Sequence, residues 1–277
     1  MPLTLRPLFI ATLGGKWLSL LSVQDVTVRF GGILALDGIS FDVPDNTIVG
    51  LIGPNGAGKT TLFNVVTRVY TPQSGEVTFE GKSLLMVPPD EIIARGVART
   101  FQNVELFTRM SVLDNVLVGL HSQLGRNAFG FVAAALRLPS DTRKESEAHK
   151  KALEALAYVG LEGMADRPVA GLPYGTLKAI ELARAIVSRP KLLLLDEPAG
   201  GLNHDEVGDL VGLFRKIHKD FGLTLLIVEH HMNLVMRVCD HVVCLDFGKK
   251  IADGSPKEVQ ANQRVIDAYL GTEDGAA

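Results

Sequence analysis

The sequence predicts an α/β fold in which a mostly parallel sheet follows a β-rich N-terminal part. Three near-continuous apolar runs of strand length lie at residues 47–52, 192–195 and 225–228. Runs of this kind are typical of parallel strands that helices cover on both faces. A helical pattern around residues 207–218 separates the last two runs, and this spacing is that of βαβ units in a doubly wound sheet.

The first part of the chain carries strand patterns without long helices. Residues 23–30 and 39–43 alternate in part between apolar and polar side chains, which predicts two short strands in an antiparallel β part. The apolar run at 47–52 then leads into a glycine-rich segment. Beyond it, apolar residues recur at three- and four-residue spacing over 59–69, so a helix is predicted there.

Helical patterns dominate the middle of the chain, and a hairpin pattern lies near its end. Residues 112–138 and 141–159 are predicted to be mostly helical, and residues 78–79 suggest a short hairpin strand. Strand patterns at 242–245 and at Ile251 flank an Asp-Phe-Gly turn, which predicts a second hairpin. Strands and helices therefore alternate as an α/β domain requires.

The size and composition favour one large domain. The chain has 277 residues, of which 47% are hydrophobic and 21% are charged, as is ordinary for a globular protein. We expect a single domain over residues 21–272, preceded by an extension over 1–20 and followed by a tail over 273–277. Deletion of the extension is expected to leave ligand binding intact. No run of eighteen apolar residues is present, so no membrane span is predicted.

Charge and cysteine content exclude several classes of function. The formal net charge is −3, so the chain has no basic field with which to bind nucleic acid or anionic lipid non-specifically. Any anion must be held locally. Cys239 and Cys244 are five residues apart on what is predicted to be one strand, which indicates buried free thiols rather than a disulfide framework or a metal site.

A glycine-rich motif supplies the means to hold an anion locally. Residues 53–60, GPNGAGKT, fit GxxxxGK[ST] at every position, between a predicted strand and a predicted helix. Backbone N–H groups in such a loop bind phosphate oxygens without net positive charge. The residues predicted to bind nucleotide are Gly53, Pro54, Asn55, Gly56, Ala57, Gly58, Lys59, Thr60 and Thr61. Lys59 is assigned to the β- and γ-phosphates, Thr60 to Mg²⁺ and Thr61 to the α-phosphate.

Two carboxylates at the end of the second apolar strand complete a hydrolytic site. Asp196 and Glu197 follow four leucines at 192–195. Asp196 is predicted to hold the metal through water, and Glu197 to orient and polarise the attacking water. The glycine-rich loop and the acidic pair together predict hydrolysis of ATP with Mg²⁺.

Three further fragments, in this order along the chain, resemble the ATP-binding subunits of ABC transporters. They are Gln102 within RTFQN, the signature segment at 172–186, and His230 behind LLIVE. The resemblance implies that Gln102 contacts Mg²⁺ and water and senses a transmembrane partner. It also implies that His230 hydrogen-bonds the γ-phosphate and holds Glu197 and the water in line. Gln102, Glu197 and His230 are thus the implied catalytic residues, with Thr60, Gln102 and Asp196 at the metal.

The same resemblance implies the architecture in more detail. It gives a P-loop nucleotide hydrolase core with a mostly parallel sheet and an N-terminal antiparallel β part. A helical subdomain, at about residues 103–185, is inserted between Gln102 and the signature segment.

The signature segment departs from the usual family pattern. It reads LPYGT where LSGGQ is usual, so Pro173 replaces a serine and Tyr174 a glycine. In the family this segment offers a helix N-terminus to the ATP of the opposite protomer, and Tyr174 and Gly175 are the residues implied to do so here. The composite site with Pro173 is expected to turn over more slowly.

The family resemblance also gives a role to an aromatic residue near the start of the chain. Phe30 falls where the family stacks an aromatic ring on adenine.

Finer features resemble the high-affinity branched-chain amino acid uptake group. These features are the tyrosine-containing signature, PAGGLN after the acids, the enlarged segment around 127–142 and the tail at 265–271. Aspartate is common in this group where His231 follows His230. The resemblance implies a motor subunit that works with a second ATP-binding subunit, homologous or identical, with permease subunits and with a solute-binding protein. It implies a peripheral position on the cytoplasmic face of the inner or plasma membrane, and no nucleic acid partner is expected.

Two alternatives remain at this stage. One is the ATPase of an exporter of the lipopolysaccharide-transport type, which shares the nucleotide motifs. The other is a soluble ABC ATPase that acts on DNA or ribosomes, although such proteins usually carry two cassettes or long coiled-coil insertions. The transported solute is not fixed by the sequence, and leucine-type amino acids, amides, urea and aromatic acids all remain open.

Overall fold

The computed structural model describes residues 19–100, 104–121 and 139–270, and all the side chains among them except those of 139–144 and 204. The strands are β1 (Ser19–Phe30), β2 (Ile33–Pro44), β3 (Ile48–Ile52), β4 (Ser74–Phe79), β5 (Lys82–Ser83), β6 (Val97–Arg99), β7 (Leu192–Asp196), β8 (Thr224–Val228), β9 (His241–Asp246) and β10 (Lys249–Gly254). The helices are α1 (Lys59–Val66), α2 (Val112–Val118), α3 (Pro139–Tyr158), α4 (Tyr174–Ile186), α5 (His204–Phe221), α6 (Met232–Val238), α7 (Pro256–Gln260) and α8 (Gln263–Leu270).

The strands form two sheets, as the sequence predicts. An antiparallel sheet has the order β2-β1-β4-β5. A second sheet has the order β10-β9-β3-β8-β7-β6, and all its neighbouring strands are parallel except the hairpin β9–β10. The α/β fold class is therefore confirmed. The apolar runs become β3, β8 and β7, three neighbouring inner strands of this sheet that are called the central strands below, and every residue in them is buried.

Successive side chains of the central strands enter two different cores, because side chains alternate between the faces of a sheet. Leu193 and Leu225 pack with apolar residues of α2, α3, α4 and α5 in one core. Leu194 and Leu226 pack with α1 and the antiparallel sheet in the other. The central strands are thus held from both sides, which fixes the position of the loops at their carboxyl ends.

Local structure differs from the sequence-based predictions in the helix after the glycine-rich loop and at the two cysteines. The helix predicted over 59–69 ends at Val66, and Arg68 takes a positive φ of 64° that ends the regular path. Cys239 lies at the end of α6 while Cys244 lies in β9, so the prediction of one shared strand is wrong. Both thiols are buried and free as predicted, and burial raises the pKa of each to about 12.

The boundary of the N-terminal extension also differs. Ser19 pairs with Pro44 and Leu20 is buried, so the strand β1 begins two residues before the predicted start of the domain at residue 21. Residues 1–18 and 271–277 lie outside the described residues, as do 122–138 of the predicted helical stretch at 112–138. Within the described parts of the chain, the helices are all too short or too polar to cross a membrane.

Candidate nucleotide site

The glycine-rich loop lies between β3 and α1, where the sequence predicts it. Gly53 has a φ of 147°, and a Cβ atom there would lie 2.1 Å from the carbonyl oxygen of Leu245. Gly58 has a φ of 102°, and a Cβ atom there would lie 2.6 Å from the carbonyl oxygen of Ala35. Any side chain at either position would require the neighbouring backbone to move, so glycine is dictated by space as well as by conformation.

The Lys59 side chain folds back into the loop. Its Nζ donates hydrogen bonds to the carbonyl oxygens of Gly53, at 2.7 Å, and Pro54, at 2.9 Å. Burial lowers the pKa of Lys59, and the nearby negative charges of Glu197 and Asp196 oppose that shift. The ammonium group is therefore held at the base of the loop, close to both acids of the predicted site.

One cavity of about 400 Å³ brings the loop and Glu197 together. Its lining residues are Ile33, Leu34, Ala35, Asn55, Gly56, Ala57, Gly58, Lys59, Thr60, Thr61, Glu197 and Phe247. Loop residues 55–61 thus face Glu197, a carboxylate that is far away in sequence. Gly53 and Pro54, the other two predicted nucleotide-binding residues, form the start of the loop, and the Lys59 ammonium joins their carbonyl groups.

Glu197 lies at the carboxyl end of β7 in a strained conformation. Its φ is 48°, in the left-handed region that non-glycine residues seldom adopt, and its N–H donates to the carbonyl of Val228 at 2.9 Å. Lys178 of α4 donates to the carbonyl oxygens of Glu197, at 3.0 Å, and Pro198, at 3.1 Å. Strain of this kind is concentrated at functional sites, where the surrounding structure maintains it.

Asp196 is buried beneath this end of the sheet. Its Oδ2 accepts a hydrogen bond from Arg99 Nη2 at 2.7 Å, and the two side chains are 1% and 8% exposed. Its Oδ1 has no hydrogen-bond partner among the described residues. A buried carboxylate oxygen without a partner is costly unless something else satisfies it. This oxygen and the Thr60 hydroxyl group of the loop are hard oxygen ligands of the type that Mg²⁺ prefers, so the donor set fits that ion.

Arg99 is a residue whose role the sequence reasoning missed. Besides Asp196, its guanidinium donates to Asn64 Oδ1 at 2.7 Å and lies over the Phe63 ring, 5.5 Å from the centroid. Asn64 and Phe63 belong to α1, which begins in the glycine-rich loop. Arg99 therefore ties the acidic strand end to the loop helix. The sequence feature that could have indicated this role is the position of Arg99, three residues before Gln102.

Replacement of Arg99 by methionine is expected to lower the free energy of unfolding by about 3–5 kcal/mol, because it leaves the buried Asp196 charge without its partner. Urea denaturation measures this loss. The matched control is Lys191→Met, which breaks the exposed ion pair with Glu80 and is expected to cost at most about 1 kcal/mol. Equal losses for the two variants would contradict the assigned role of Arg99.

A cluster of Glu229, His230 and His231 lies after β8. The buried Glu229 carboxylate accepts the backbone N–H groups of His230, at 2.9 Å, and His231, at 3.0 Å, and that of Ala199 at 2.8 Å. His231 Nδ1 lies 3.1 Å from Glu229 Oε2, and the two imidazole rings are 4.3 Å apart. Glu229 thus shapes the turn that carries His230. His230 does not line the cavity that holds Glu197, so its action on a γ-phosphate stays a prediction.

Comparison with known proteins shows the family of this chain. A family model described as "ABC transporter" matches residues 36–200. The chain belongs to the ABC transporter family. A second family model, "Branched-chain amino acid ATP-binding cassette transporter", matches residues 249–275. The chain is accordingly an ATPase of the ABC type.

Individual relatives extend over almost the whole chain. The high-affinity branched-chain amino acid transport ATP-binding protein BraF of Pseudomonas aeruginosa is 42% identical over 252 residues, which cover 91% of this chain and 98% of BraF. LivG of Escherichia coli K12, of the same description, is 41% identical with the same coverage. Among solved structures, the ADP conformation of MJ1267, an ATP-binding cassette of an ABC transporter, has a TM-score of 0.78 at 31% identity and covers 92% of this chain and 99% of its own.

The signature segment of this ABC ATPase begins helix α4. Pro173 precedes the helix and provides no side-chain cap, and Tyr174 is exposed, with its ring against Gly201. Gly175 lines a second cavity of about 400 Å³ between α4 and α5, together with Asp196 and Lys178. Tyr174 and Gly175 do not line the cavity that joins the glycine-rich loop and Glu197. Their contact with the nucleotide of a second protomer stays a prediction.

The remaining predicted site residues are Gln102 and Phe30. Gln102 lies outside the described residues. Phe30 does not line the cavity, and its half-exposed ring packs edge-on against Tyr70 at 5.0 Å. Phe247, which the sequence reasoning missed, lines the cavity from the β9–β10 turn and is 85% exposed. The sequence feature that could have indicated it is an aromatic residue within the predicted Asp-Phe-Gly hairpin turn.

Proposed function

We propose that this chain is the motor subunit of an ABC importer, which binds and hydrolyses MgATP to drive uptake of branched-chain amino acids or related small polar solutes through a separate permease. The observation that carries the proposal is the cavity that joins the loop residues 55–61, the Lys59 ammonium and the Glu197 carboxylate. A phosphate-binding loop opposite a carboxylate is the arrangement that hydrolysis of a nucleoside triphosphate requires.

Nucleotide binding follows from the loop. Backbone N–H groups between residues 53 and 61, at the start of α1, provide donors and the positive end of the helix dipole to the phosphates. Lys59 adds a point charge for the β- and γ-phosphates. Ile33, Leu34 and Ala35 supply an apolar wall beside the loop, against which the nucleoside packs. Phe30 is proposed to stack on the adenine, as its position in the family pattern implies.

The metal would be held by Thr60 and, through water, by Asp196, with Gln102 as a further ligand. When bound, Mg²⁺ neutralises negative charge on the phosphate oxygens. Residues of this chain position the attacking water and the γ-phosphate. Glu197 orients and polarises the attacking water, and His230 hydrogen-bonds the γ-phosphate. Arg99 holds Asp196 in place and leaves its Oδ1 available.

Transport requires more than one chain. We propose that two ATP-binding subunits close around two nucleotides, with the N-terminus of α4 at Tyr174 and Gly175 facing the nucleotide of the opposite subunit. Hydrolysis removes the γ-phosphate and the pair reopens. Permease subunits receive this movement through the segment around Gln102 and the helical subdomain, and a solute-binding protein delivers the solute. The chain is then peripheral, on the cytoplasmic face of the membrane.

The direction of transport and the class of solute rest on the C-terminal part of the chain. Residues 249–275 match the branched-chain family model, and both BraF and LivG are described as branched-chain amino acid transport proteins. This match favours uptake over the two alternatives, the exporter ATPase and the soluble ABC ATPase.

Uptake of labelled solute in a deletion strain tests the proposal. We expect loss of leucine, isoleucine and valine uptake in a strain without this gene, restoration by the unmodified gene, and no restoration by Glu197→Gln. Amides, urea and aromatic acids are measured in parallel to define the solute class. Parental uptake of all these solutes in the deletion strain would overturn the importer assignment and leave the ATPase assignment untouched.

A further inference from the structure

The C-terminal helix α8 reaches the first residue of the glycine-rich loop. The N–H of Gly53 donates a hydrogen bond of 2.9 Å to the phenolic oxygen of Tyr269, 216 residues further along the chain. Tyr269 lies within the segment 249–275 that matches the branched-chain family model. Nothing in the proposed chemistry at Glu197 or Lys59 uses this contact.

The contact satisfies a group that has few other ways to find a partner. Gly53 is buried and follows the last residue of β3, with a φ of 147° that turns the chain out of the strand. A buried backbone N–H without a partner is strongly disfavoured. The carbonyl group of the same residue accepts the Lys59 ammonium at 2.7 Å. The Gly53 backbone is therefore held at its N–H by Tyr269 and at its carbonyl by the predicted phosphate-binding lysine.

Core packing of Val265 holds the helix that carries Tyr269. Val265, four residues earlier and hence on the same face of α8, is 3% exposed within the core. Asn262 Oδ1 accepts the N–H of Arg264 at the beginning of the helix. Burial raises the pKa of Tyr269 to about 12, so the phenol is neutral throughout the physiological pH range. The hydroxyl is thus an uncharged hydrogen-bond partner, on a residue that is 37% exposed.

The neighbouring hairpin supports the other end of the loop. The N–H of Gly248, in the β9–β10 turn, donates to the carbonyl of Ala57 at 3.1 Å. The β9–β10 hairpin and α8, which both belong to the C-terminal part of the chain, therefore contact the loop at its two ends, at Ala57 and at Gly53.

We propose that Tyr269 is a positioning residue that keeps the glycine-rich loop in its nucleotide-binding conformation before nucleotide arrives. This inference rests on the proposed nucleotide site. Without the hydroxyl, the Gly53 N–H turns toward water in part of the population, and binding must first reorder the loop. The apparent Kd then rises in inverse proportion to the fraction of molecules whose loop is competent to bind nucleotide. Saturating nucleotide restores the loop, so the maximal rate is preserved.

The test compares Tyr269→Phe with the unmodified full-length chain. We expect the Kd for Mg-ADP, measured by calorimetry, to rise about tenfold. In the assembled transporter, KM for ATP is expected to rise by a similar factor while kcat stays within about twofold. The matched control is Tyr158→Phe, which removes a hydroxyl that donates to Asp220 at 3.4 Å and does not line the cavity. That control is expected to bind Mg-ADP with unchanged affinity.

Amide hydrogen exchange at Gly53 gives a second, independent measurement. We expect protection in the unmodified chain without nucleotide, loss of protection in Tyr269→Phe, and recovery when Mg-ADP saturates the variant. A purely structural role would lower Tm equally with and without nucleotide and leave the Kd unchanged. That result, or equal protection in both chains, would overturn the role of Tyr269 alone. Failure of the unmodified chain to bind nucleotide would overturn the proposed function as well.

Discussion

Replacement of Glu197 by glutamine is expected to reduce ATP turnover at least about 100-fold while ATP binding is retained, since a positioned general base contributes 10² to 10⁴ in rate. Glutamine keeps the size of the side chain but cannot accept the proton of the attacking water. The strained backbone at φ 48° and the lysine that donates to the Glu197 carbonyl are left intact. The variant should therefore fold and accumulate an ATP-bound dimer.

Phosphate release from the assembled transporter measures this effect, and gel filtration with MgATP detects the trapped dimer. The matched control is Glu147→Gln on the exposed face of α3, where the carboxylate forms an exposed ion pair with Lys151. That variant is expected to hydrolyse ATP at the parental rate. If Glu197→Gln also did so, the catalytic assignment of Glu197 would be wrong.

Replacement of Lys59 by alanine is expected to abolish measurable nucleotide binding. The change removes the charge that faces the phosphates, and it removes two hydrogen bonds that join the carbonyl groups of Gly53 and Pro54 inside the loop. The variant therefore loses both the phosphate contact and the hydrogen bonds that maintain the conformation of the loop. Calorimetry with Mg-ADP measures the loss.

The control for this change is Lys191→Ala, which removes an ammonium group from the exposed pair with Glu80. Far-ultraviolet circular dichroism of both variants establishes that the fold is retained. Retention of parental nucleotide affinity by a folded Lys59→Ala protein would contradict the placement of the phosphates at the loop.

Much of the fold could be predicted because its signals are local. The apolar runs that form β3, β7 and β8 are continuous in sequence, and the loop between β3 and α1 carries its own glycines. The loop and Glu197 meet because β3 and β7 both lie in the parallel part of one sheet, on either side of β8, and the carboxyl ends of parallel strands share one edge.

The remaining features depend on contacts that no local pattern encodes. Arg99 and Asp196 are 97 residues apart, and Gly53 and Tyr269 are 216 apart. The two residues of each pair come together only in the folded chain, once their strands and helices have packed. The shared strand predicted for Cys239 and Cys244 is wrong for a related reason, since α6 extends to Val238 and the turn at Cys239–Asp240 separates the two elements.

The aromatic residues near the cavity show the same limit. Phe30 matches a family position, yet its ring packs against Tyr70, whereas Phe247 lines the cavity from a hairpin turn. Sequence gives the position of an aromatic residue along a strand, but the direction of its ring depends on which neighbours fold against it. The stacking role of Phe30 therefore remains a prediction.

The most direct test of the central claim is a calorimetric titration of the unmodified, purified chain with Mg-ADP and MgATP, alone and with the proposed partner subunits. We predict saturable binding of one nucleotide per chain, lost in Lys59→Ala and retained in Glu197→Gln. A folded chain that released no heat with either nucleotide in either setting would show that the cavity between the glycine-rich loop and Glu197 is not a nucleotide site.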